Sequence, residues 1–414
     1  MTPPDSASRP PLRVGVVGFG WMGRVHAAAY SRLHHHYPRL GRRVELVAVA
    51  DSDPASLPDA VARFGTVRTH RDWRELVEAP DVDAVSVTTP NWLHREVGVA
   101  VARAGKHLWI EKPVGLDADD ARAVAAAIDE AGVRAVVGFN YRHVPAVAHA
   151  RALLQRGGIG TPTSMQVRFA TDYAASPNGV LTWRFRRQRG GNGVLGDLAS
   201  HAVDLVRHLL GPAGEITDVV AVTGLAVPRR PLPADDAASH YAVAGPSPSV
   251  AMGDVENPDW VDALLRTAGG ATVTLEASRV AVGEQNAYRF EIAGTRGRLA
   301  WDFRQMGELV HSGPEHVGAP EVHLTTGPAH GEYGAFEPGP GIALGYDDLK
   351  VIEAAAFLRL ITGHRGGPVA ATPADAVRSA EVLDAMERSV HEGRWVPTSG
   401  ASRPPVPAPE PSVG

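Results

Sequence analysis

Asp197 and His201 stand four residues apart in the stretch GDLASHAVDL, which runs from Gly196 to Leu205. Four residues is about one helical turn, so on a helix both side chains share a face. An acid beside an imidazole orients the ring and raises its basicity. Such a base can take the proton of a secondary alcohol as a hydride leaves the same carbon. Asp204 and His208 extend the polar stripe, while Val194, Leu198, Ala202, Leu205 and Leu209 make an apolar stripe opposite. Gly190, Gly191, Gly193 and Gly196 let backbone come close to something that needs room. The same residues allow a plainer reading, in which Asp197 caps the helix and His201 is a satisfied polar residue.

A second candidate is Lys112. Only Lys106, Lys112 and Lys350 are lysine among 41 Lys+Arg, so a bare positive charge is otherwise supplied by Arg. Lysine can lose its proton when buried, and Arg effectively cannot. WIEKPVG places Glu111, Lys112 and Pro113 at the carboxyl end of an apolar strand, the edge where open parallel sheets bind ligands. An ammonium there can polarise a hydroxyl or, with its pKa lowered, pass a proton. The alternative is a surface ion pair at a strand end.

The third motif is GFGWMG, a G-x-G-x-x-G formed by Gly18, Phe19, Gly20, Trp21, Met22 and Gly23. It follows an apolar strand and opens a helix, the setting in which these glycines admit a pyrophosphate to the helix N-terminus. Asp51, with Ser52 after it, ends the next strand. An acid there accepts hydrogen bonds from the ribose hydroxyls and repels a 2′-phosphate, so NAD is expected over NADP. Asp51 lies 28 residues past Gly23, more than the roughly 20 usual for this motif. A loop insertion, HHHYPRLGRR, accounts for the surplus. Its histidines read as a solvated loop, and no metal site is expected.

These residues need a frame. Leu12–Val17, VELVAVAD, DAVSVTTP, HLWIEKP and RAVVGFN read as buried strands. Helical stretches from about Met22 to Leu33, HREVGVAVARAG and DADDARAVAAAIDEAG lie between them. This alternation means parallel βαβ units over 12–139. From 140 to 398 the pattern changes to TPTSMQVRFATDY, ITDVVAVTGLAV, ATVTLEASRVAV, AYRFEIAGTRGRLAWDF and GELVHSG, strand-like and mostly without helices between. HVPAVAHARALLQRG and the 196–211 segment interrupt it as helices, and two long helical stretches after residue 345 close this second domain. The expected fold class is an α/β Rossmann domain plus an α+β C-terminal domain with a large open, mostly antiparallel sheet. Residues 1–11 read as a disordered arm, 228–253 as a long surface loop and 399–414 as a Pro-rich disordered tail.

Composition narrows the function. The 414 residues can bury a large core. The net charge of −5 offers no basic surface for nucleic acid. No apolar run approaches a membrane span, and the N-terminus has no apolar signal core. Cysteine is absent, which fits a reducing compartment and a cytoplasmic protein.

GFGWMG, TTPNWLH, EKPVG, WRF and GGNGVLGDLASHAVD occur in an order that resembles the Gfo/Idh/MocA family of sugar and cyclitol dehydrogenases, over roughly 12–398. The resemblance implies that Lys112, Asp197 and His201 surround the reacting carbon. It implies that Thr88, Thr89, Pro90, Asn91, His94 and Glu111 belong to the dinucleotide side, with Trp183 and Arg184 near nicotinamide and substrate. It places Asn140, Tyr141 and Arg142 at the substrate pocket. AFEPGPGIALGYDDL looks like members that act on sugars, anhydrosugars and cyclitols. The implied activity is reversible hydride transfer from a secondary hydroxyl of a sugar, anhydrosugar, glycoside or cyclitol to C4 of NAD(P), in a homodimer or homotetramer. An NAD-dependent glycosidase of the same fold and a non-catalytic dinucleotide- or sugar-binding regulator are the alternatives. The enlarged 34–43 and 228–253 loops depart from the family pattern and bear on the substrate rim and subunit contacts.

Overall fold

Five Val-, Ala- and Ile-rich runs have no polar alternation, because both faces of the sheet they form are covered by helices. The computed structural model describes residues 10–233, 251–313, 320–364 and 366–398. Its first sheet has six parallel strands: β1 (Leu12–Val17), β2 (Val44–Ala50), β3 (Arg68–His70), β4 (Ala84–Val87), β5 (His107–Ile110) and β6 (Ala135–Val137). Their order is β3-β2-β1-β4-β5-β6, so the winding reverses between β1 and β4. Ligands bind outside the carboxyl ends at such a reversal. Helices α1 (Trp21–His36), α2 (Ser56–Phe64), α3 (Trp73–Glu78), α4 (Asn91–Arg103) and α5 (Ala118–Ala131) connect the strands. β3 is a three-residue edge strand, too short and exposed to carry a sequence pattern.

The second half begins with α6 (Pro145–Gln155) and β7 (Pro162–Ala170). A short turn α7 (Arg187–Gly190) precedes α8 (Ser200–Leu210) and β8 (Ile216–Gly224). β9 (Arg229–Pro231) and β10 (Met252–Asp254) pair with each other. Then follow β11 (Trp260–Thr267), β12 (Thr272–Ser278), β13 (Ala287–Gly294), β14 (Gly297–Asp302), β15 (Glu308–Ser312), β16 (Val322–Thr325), α9 (Tyr346–Thr362), α10 (Pro373–Glu392) and β17 (Val396–Pro397). The large sheet runs β16-β15-β14-β13-β7-β12-β11-β8-β17. All its neighbours are antiparallel except β7 and β12. β11, absent from the sequence reading, alternates buried Val261, Ala263 and Leu265 with exposed Asp262, Leu264 and Arg266. α8 and α10 pack on the buried face, where Val203, Leu209, Leu383 and Met386 join Val167, Leu275 and Phe290 in one core.

Three expectations change. Helix α9 does not close the second sheet. Val351, Ala354, Ala355 and Phe357 pack with Val14, Ala27, Tyr30 and Trp109, so late chain covers the first sheet beside α1. His34–His36 are the last turn of α1 rather than loop, and His36 stacks on Phe336 at 4.2 Å. The 228–253 segment is tied at both ends by the β9–β10 pair, and its middle lies outside the described residues. The proposed arm and tail lie largely or wholly outside them too; Pro10 and Pro11 are held through carbonyls accepting from Arg42.

Several histidines are buried uncharged. Burial holds the His26 ring down at about 4 and that of His143 at about 3, and pushes His201 and His208 well below the ordinary value. Between those values and 6.5 the unfolded chain binds these protons and the folded chain does not, so stability must fall as pH falls. Burial also raises Glu353 to about 7 and Asp384 to about 6, and raises Asp204, which act oppositely. With His36, His94, His107 and His149 also lowered by burial, the imidazoles outweigh these carboxyls and Asp262. Tm should therefore drop steadily from pH 6.5 to 4.5 by scanning calorimetry; a flat or rising Tm would contradict the assignment.

Candidate active site

At the β1–α1 turn, Gly18 has φ +86°, and a Cβ there would lie 2.8 Å from Thr88 and Thr89 backbone. Gly20 caps α1 with no side-chain hydrogen bond, and a Cβ on it would meet nothing within 4 Å. The first turn of α1 carries no acid. Free N–H groups, open space and a positive helix end suit a pyrophosphate. The Asp51 carboxylate accepts from Phe19 N at 2.5 Å and Asp53 N at 2.8 Å, which fixes it beside the turn with lone pairs left for a ribose. Thr88 Oγ1 donates to the Gly18 carbonyl. His94 ring nitrogens lie 2.7 Å from Thr89 O and 2.6 Å from Pro113 O, tying the β4 turn to the β5 turn. The residues present thus fit a dinucleotide.

Facing this turn, Trp21 stacks on Tyr346 at 5.6 Å and stays half-exposed, and the Tyr346 hydroxyl lies 4.0 Å from Met22 Sδ. Across the mouth, Trp183 meets Trp92 edge-on at 5.4 Å, with the Arg184 guanidinium over Trp183. Ser52 sits exposed after Asp51, and Pro90 and Asn91 open α4.

Lys112 is where the two sheets meet. Its Nζ donates to the Asp197 carbonyl at 2.8 Å and lies 3.9 Å from Asp197 Oδ1. The other carboxylate oxygen accepts from the Tyr173 hydroxyl at 2.5 Å. Asp197 does not orient His201. The segment Leu195–Ala199 is a π turn that gives way to α8 at Ser200. A π turn is one residue wider than an α turn, so a four-residue spacing no longer aligns the two side chains. The acid turns to Tyr173 and Lys112. Among the described residues the His201 ring makes no hydrogen bond; Tyr141 packs edge-on at 4.9 Å, with Phe139 and Phe169 around it.

The charges follow from burial. Desolvation lowers the Lys112 ammonium despite the pull of Asp197 and Glu111, and Arg184 adds to the lowering. Burial would raise Asp197, but Lys112, Arg184 and the Tyr173 hydroxyl overcome it and hold the acid ionised. Burial and then Lys112 keep His201 neutral.

The remaining sequence candidates separate. Asn140 is buried, neither amide atom has a hydrogen-bond partner among the described residues, and the Tyr346 hydroxyl is its polar neighbour. Thr89 Oγ1 is likewise buried and unpartnered. Such groups await a ligand or water. Tyr141 lies against His201. Arg142 does not face the pocket: its guanidinium is clamped by Asp204 at 2.8 and 2.5 Å and by Asp375 at 3.3 Å. The 190–196 glycines make room for the protein itself. A Cβ on Gly193 would lie 2.7 Å from Pro258 O and one on Gly191 3.0 Å from Leu116 O. Sequence reasoning missed Tyr173 and the buried Arg279–Asp259 pair, which with Asn257 holds the Arg184 and Gly191 carbonyls. No spacing signal marks these residues, since they reach the site from separate strands and loops.

Comparison with known proteins bears on the same architecture. Residues 12–139 match the family model "Oxidoreductase family, NAD-binding Rossmann fold", and 147–300 match the "GFO/IDH/MocA C-terminal domain". The chain belongs to the Gfo/Idh/MocA family of oxidoreductases. It is 35% identical to a levoglucosan dehydrogenase of Pseudarthrobacter phenanthrenivorans, over 93% of this chain and 97% of that protein. An inositol 2-dehydrogenase of Rhizobium meliloti is 27% identical over 93% and 98%. Among solved structures, a levoglucosan dehydrogenase in complex with NADH and levoglucosan superposes with TM-score 0.85 at 32% identity, covering 94% of this chain and all of that one. Family membership makes this chain an oxidoreductase built on an NAD-binding Rossmann domain.

The Arg142–Asp204 placement is testable. Asp204→Ala leaves a buried guanidinium short of a partner, which costs about 3–5 kcal/mol. A large fall in Tm is expected, with KM for substrate little changed below it. A raised KM at unchanged Tm would return Arg142 to the pocket.

Proposed function

We propose that the protein is an NAD-dependent dehydrogenase that oxidises a secondary hydroxyl of a polyhydroxylated ring, with an anhydrosugar of the levoglucosan type as the first candidate. The observation that carries the chemistry is the meeting of Lys112 Nζ with Asp197 beside an imidazole that has no hydrogen-bond partner among the described residues. The levoglucosan and inositol dehydrogenase relatives support the substrate class, and the levoglucosan enzyme is the more similar of the two over nearly the whole length. The site lies at the carboxyl edge of β5, close to the β1–β4 reversal, where the crevice would hold the nicotinamide end of a dinucleotide.

Bound there, the dinucleotide supplies a hydride acceptor at C4 of its nicotinamide ring. The protein does the proton work. Neutral His201 takes the hydroxyl proton as the O–H bond breaks, and the carbon–hydrogen pair leaves as hydride to give a carbonyl. Lys112 holds the oxygen and offsets its developing negative charge, a desolvated interaction worth more than in water. Asp197, pinned by Tyr173, keeps Lys112 placed. Asn140 and Tyr141 line the ring, Asn140 with an amide whose polar neighbour among the described residues is the Tyr346 hydroxyl. Asp51 disfavours a 2′-phosphate and so favours NAD. Apolar Val222 and Leu264, exposed on the outer face of β8 and β11, suit a homodimer or homotetramer built on the large sheet.

NADH formation across levoglucosan, myo-inositol and its isomers, glucose and simple glucosides tests the reading. Turnover is expected with one ring type, and Lys112→Ala or His201→Ala should lower kcat by about 10²-fold or more. Variants within threefold of wild type would remove those roles. Aglycone release without net NADH would replace the dehydrogenase with a glycosidase. Asp51→Ala should narrow the NAD/NADP ratio of kcat/KM by about tenfold or more, the loss of roughly one charged contact; an unchanged ratio would show that Asp51 only braces the turn.

A further inference from the structure

Lys350 is fully buried on α9, and hydride transfer as described does not use it. Its Nζ donates to Glu111 Oε1 at 2.5 Å, Glu353 Oε2 at 2.7 Å and the Gly138 carbonyl at 3.4 Å. An ammonium has three donors, and three acceptors surround it. The Trp109 ring lies 5.6 Å away, and its Nε1 also donates to Glu353 Oε2. His26 stacks on Trp109 and meets Glu111 Oε1 at 3.0 Å. His26, Glu111 and Glu353 offer ligand atoms within 4.8 Å of one another, the spacing of a metal site. Here Lys350 supplies the cation from within the chain.

Glu111 is the link to chemistry. One oxygen is held by Lys350 and His26, and the other accepts from the backbone N–H of Lys112 at 3.3 Å. The ammonium of Lys350 therefore sits directly behind the turn that presents Lys112. The same helix carries Tyr346 one turn earlier, against Trp21 and near Tyr141. A buried cluster of this kind adds little net stability, because apolar groups of similar volume serve as well. Yet a chain that otherwise uses Arg keeps Lys here, where a planar five-donor fork would not fit three compact acceptors.

We propose that Lys350 is a positioning residue for hydride transfer: its ammonium holds Glu111, and through it the Lys112 turn, in the reacting arrangement. The same charge opposes protonation of Lys112 and His201. Around Lys350 stand Glu111 just after β5, Glu353 from α9, His26 from α1 and, across Glu353 at 3.9 Å, His143 from the turn before α6, while Lys112 is faced by Asp197, Glu111 and Arg184. This inference rests on Lys112 being the group that holds the substrate oxygen.

Lys350→Met keeps the length of the side chain and removes its charge. It should lower kcat by about tenfold or more through misplacement of Lys112, since a shift of about 1 Å is enough for such losses. KM for NAD should stay within about threefold, as the β1–α1 turn is untouched. The acid limb of the kcat–pH profile should move to higher pH, because His201, the group that must be neutral, keeps its proton longer. Lys350→Arg should not restore kcat. Lys106→Met is the control: that lysine is also buried, with Nζ on the Ala79 and Val82 carbonyls at the opposite end of β5, and kcat and the pH limb should not move. Should Lys350→Met fail to fold, Lys350→Met with Glu353→Met replaces the ion pair by apolar groups and should show the same kcat loss and pH shift. A folded single or double variant with wild-type kcat and pH profile overturns the proposal. Lys112→Ala with full activity would instead overturn the dehydrogenase roles on which it rests.

Discussion

The contact between the Lys112 ammonium and the Asp197 carbonyl joins the two halves of the chain, and the rest of the site is arranged around it. Lys112 belongs to the end of a parallel strand and Asp197 to the entry of a helix packed on the large sheet. Neither position has meaning alone. Without Asp197 the Lys112 ammonium would lose the carbonyl it donates to and its nearest negative charge, and without Lys112 the buried Asp197 carboxylate would keep only the Tyr173 hydroxyl and the charges of Arg184 and Arg279. Each makes the other tolerable in a low dielectric, and together they place a positive charge and a neutral imidazole on one side of the crevice.

The surroundings extend that arrangement outward in both directions. Behind Asp197, Tyr173 takes one carboxylate oxygen, and the Arg279–Asp259 pair with Asn257 stiffens the Arg184–Gly191 segment. Behind Lys112, Glu111 and the α9 side chains form a buried ionic cluster. Helix α9 crosses from the second half of the chain to lie on the first sheet. The crevice is thus braced by chain from both halves, so its geometry does not depend on one flexible connection.

Much of this was legible in the residues. The glycine turn, the lysine at a strand end and the parallel-to-antiparallel change of pattern are local features, and period-2 and period-3.6 patterns report them directly. Lysine scarcity was informative too: all three lysines are largely buried, and each has specific oxygen partners. Less legible was the direction of each side chain. The spacing of Asp197 and His201 assumes an α turn, and the π turn at Leu195–Ala199 rotates the acid away. Arg142 looked like a pocket residue because it adjoins Asn140 and Tyr141, yet Asp204 and Asp375 approach it from distant chain.

The sequence by itself determined the buried strands and the longer helices of the nucleotide-binding half, though not β3, α2 or α3, together with the glycine geometry at β1 and the residue types available for proton transfer. These depend on interactions within a few residues along the chain. Only the tertiary structure decided the partner of Asp197, the burial of Arg142 and Lys350, and the sheet that α9 covers. Those outcomes turn on contacts between residues tens to hundreds of positions apart, where desolvation sets which charges must pair and no local periodicity records the choice.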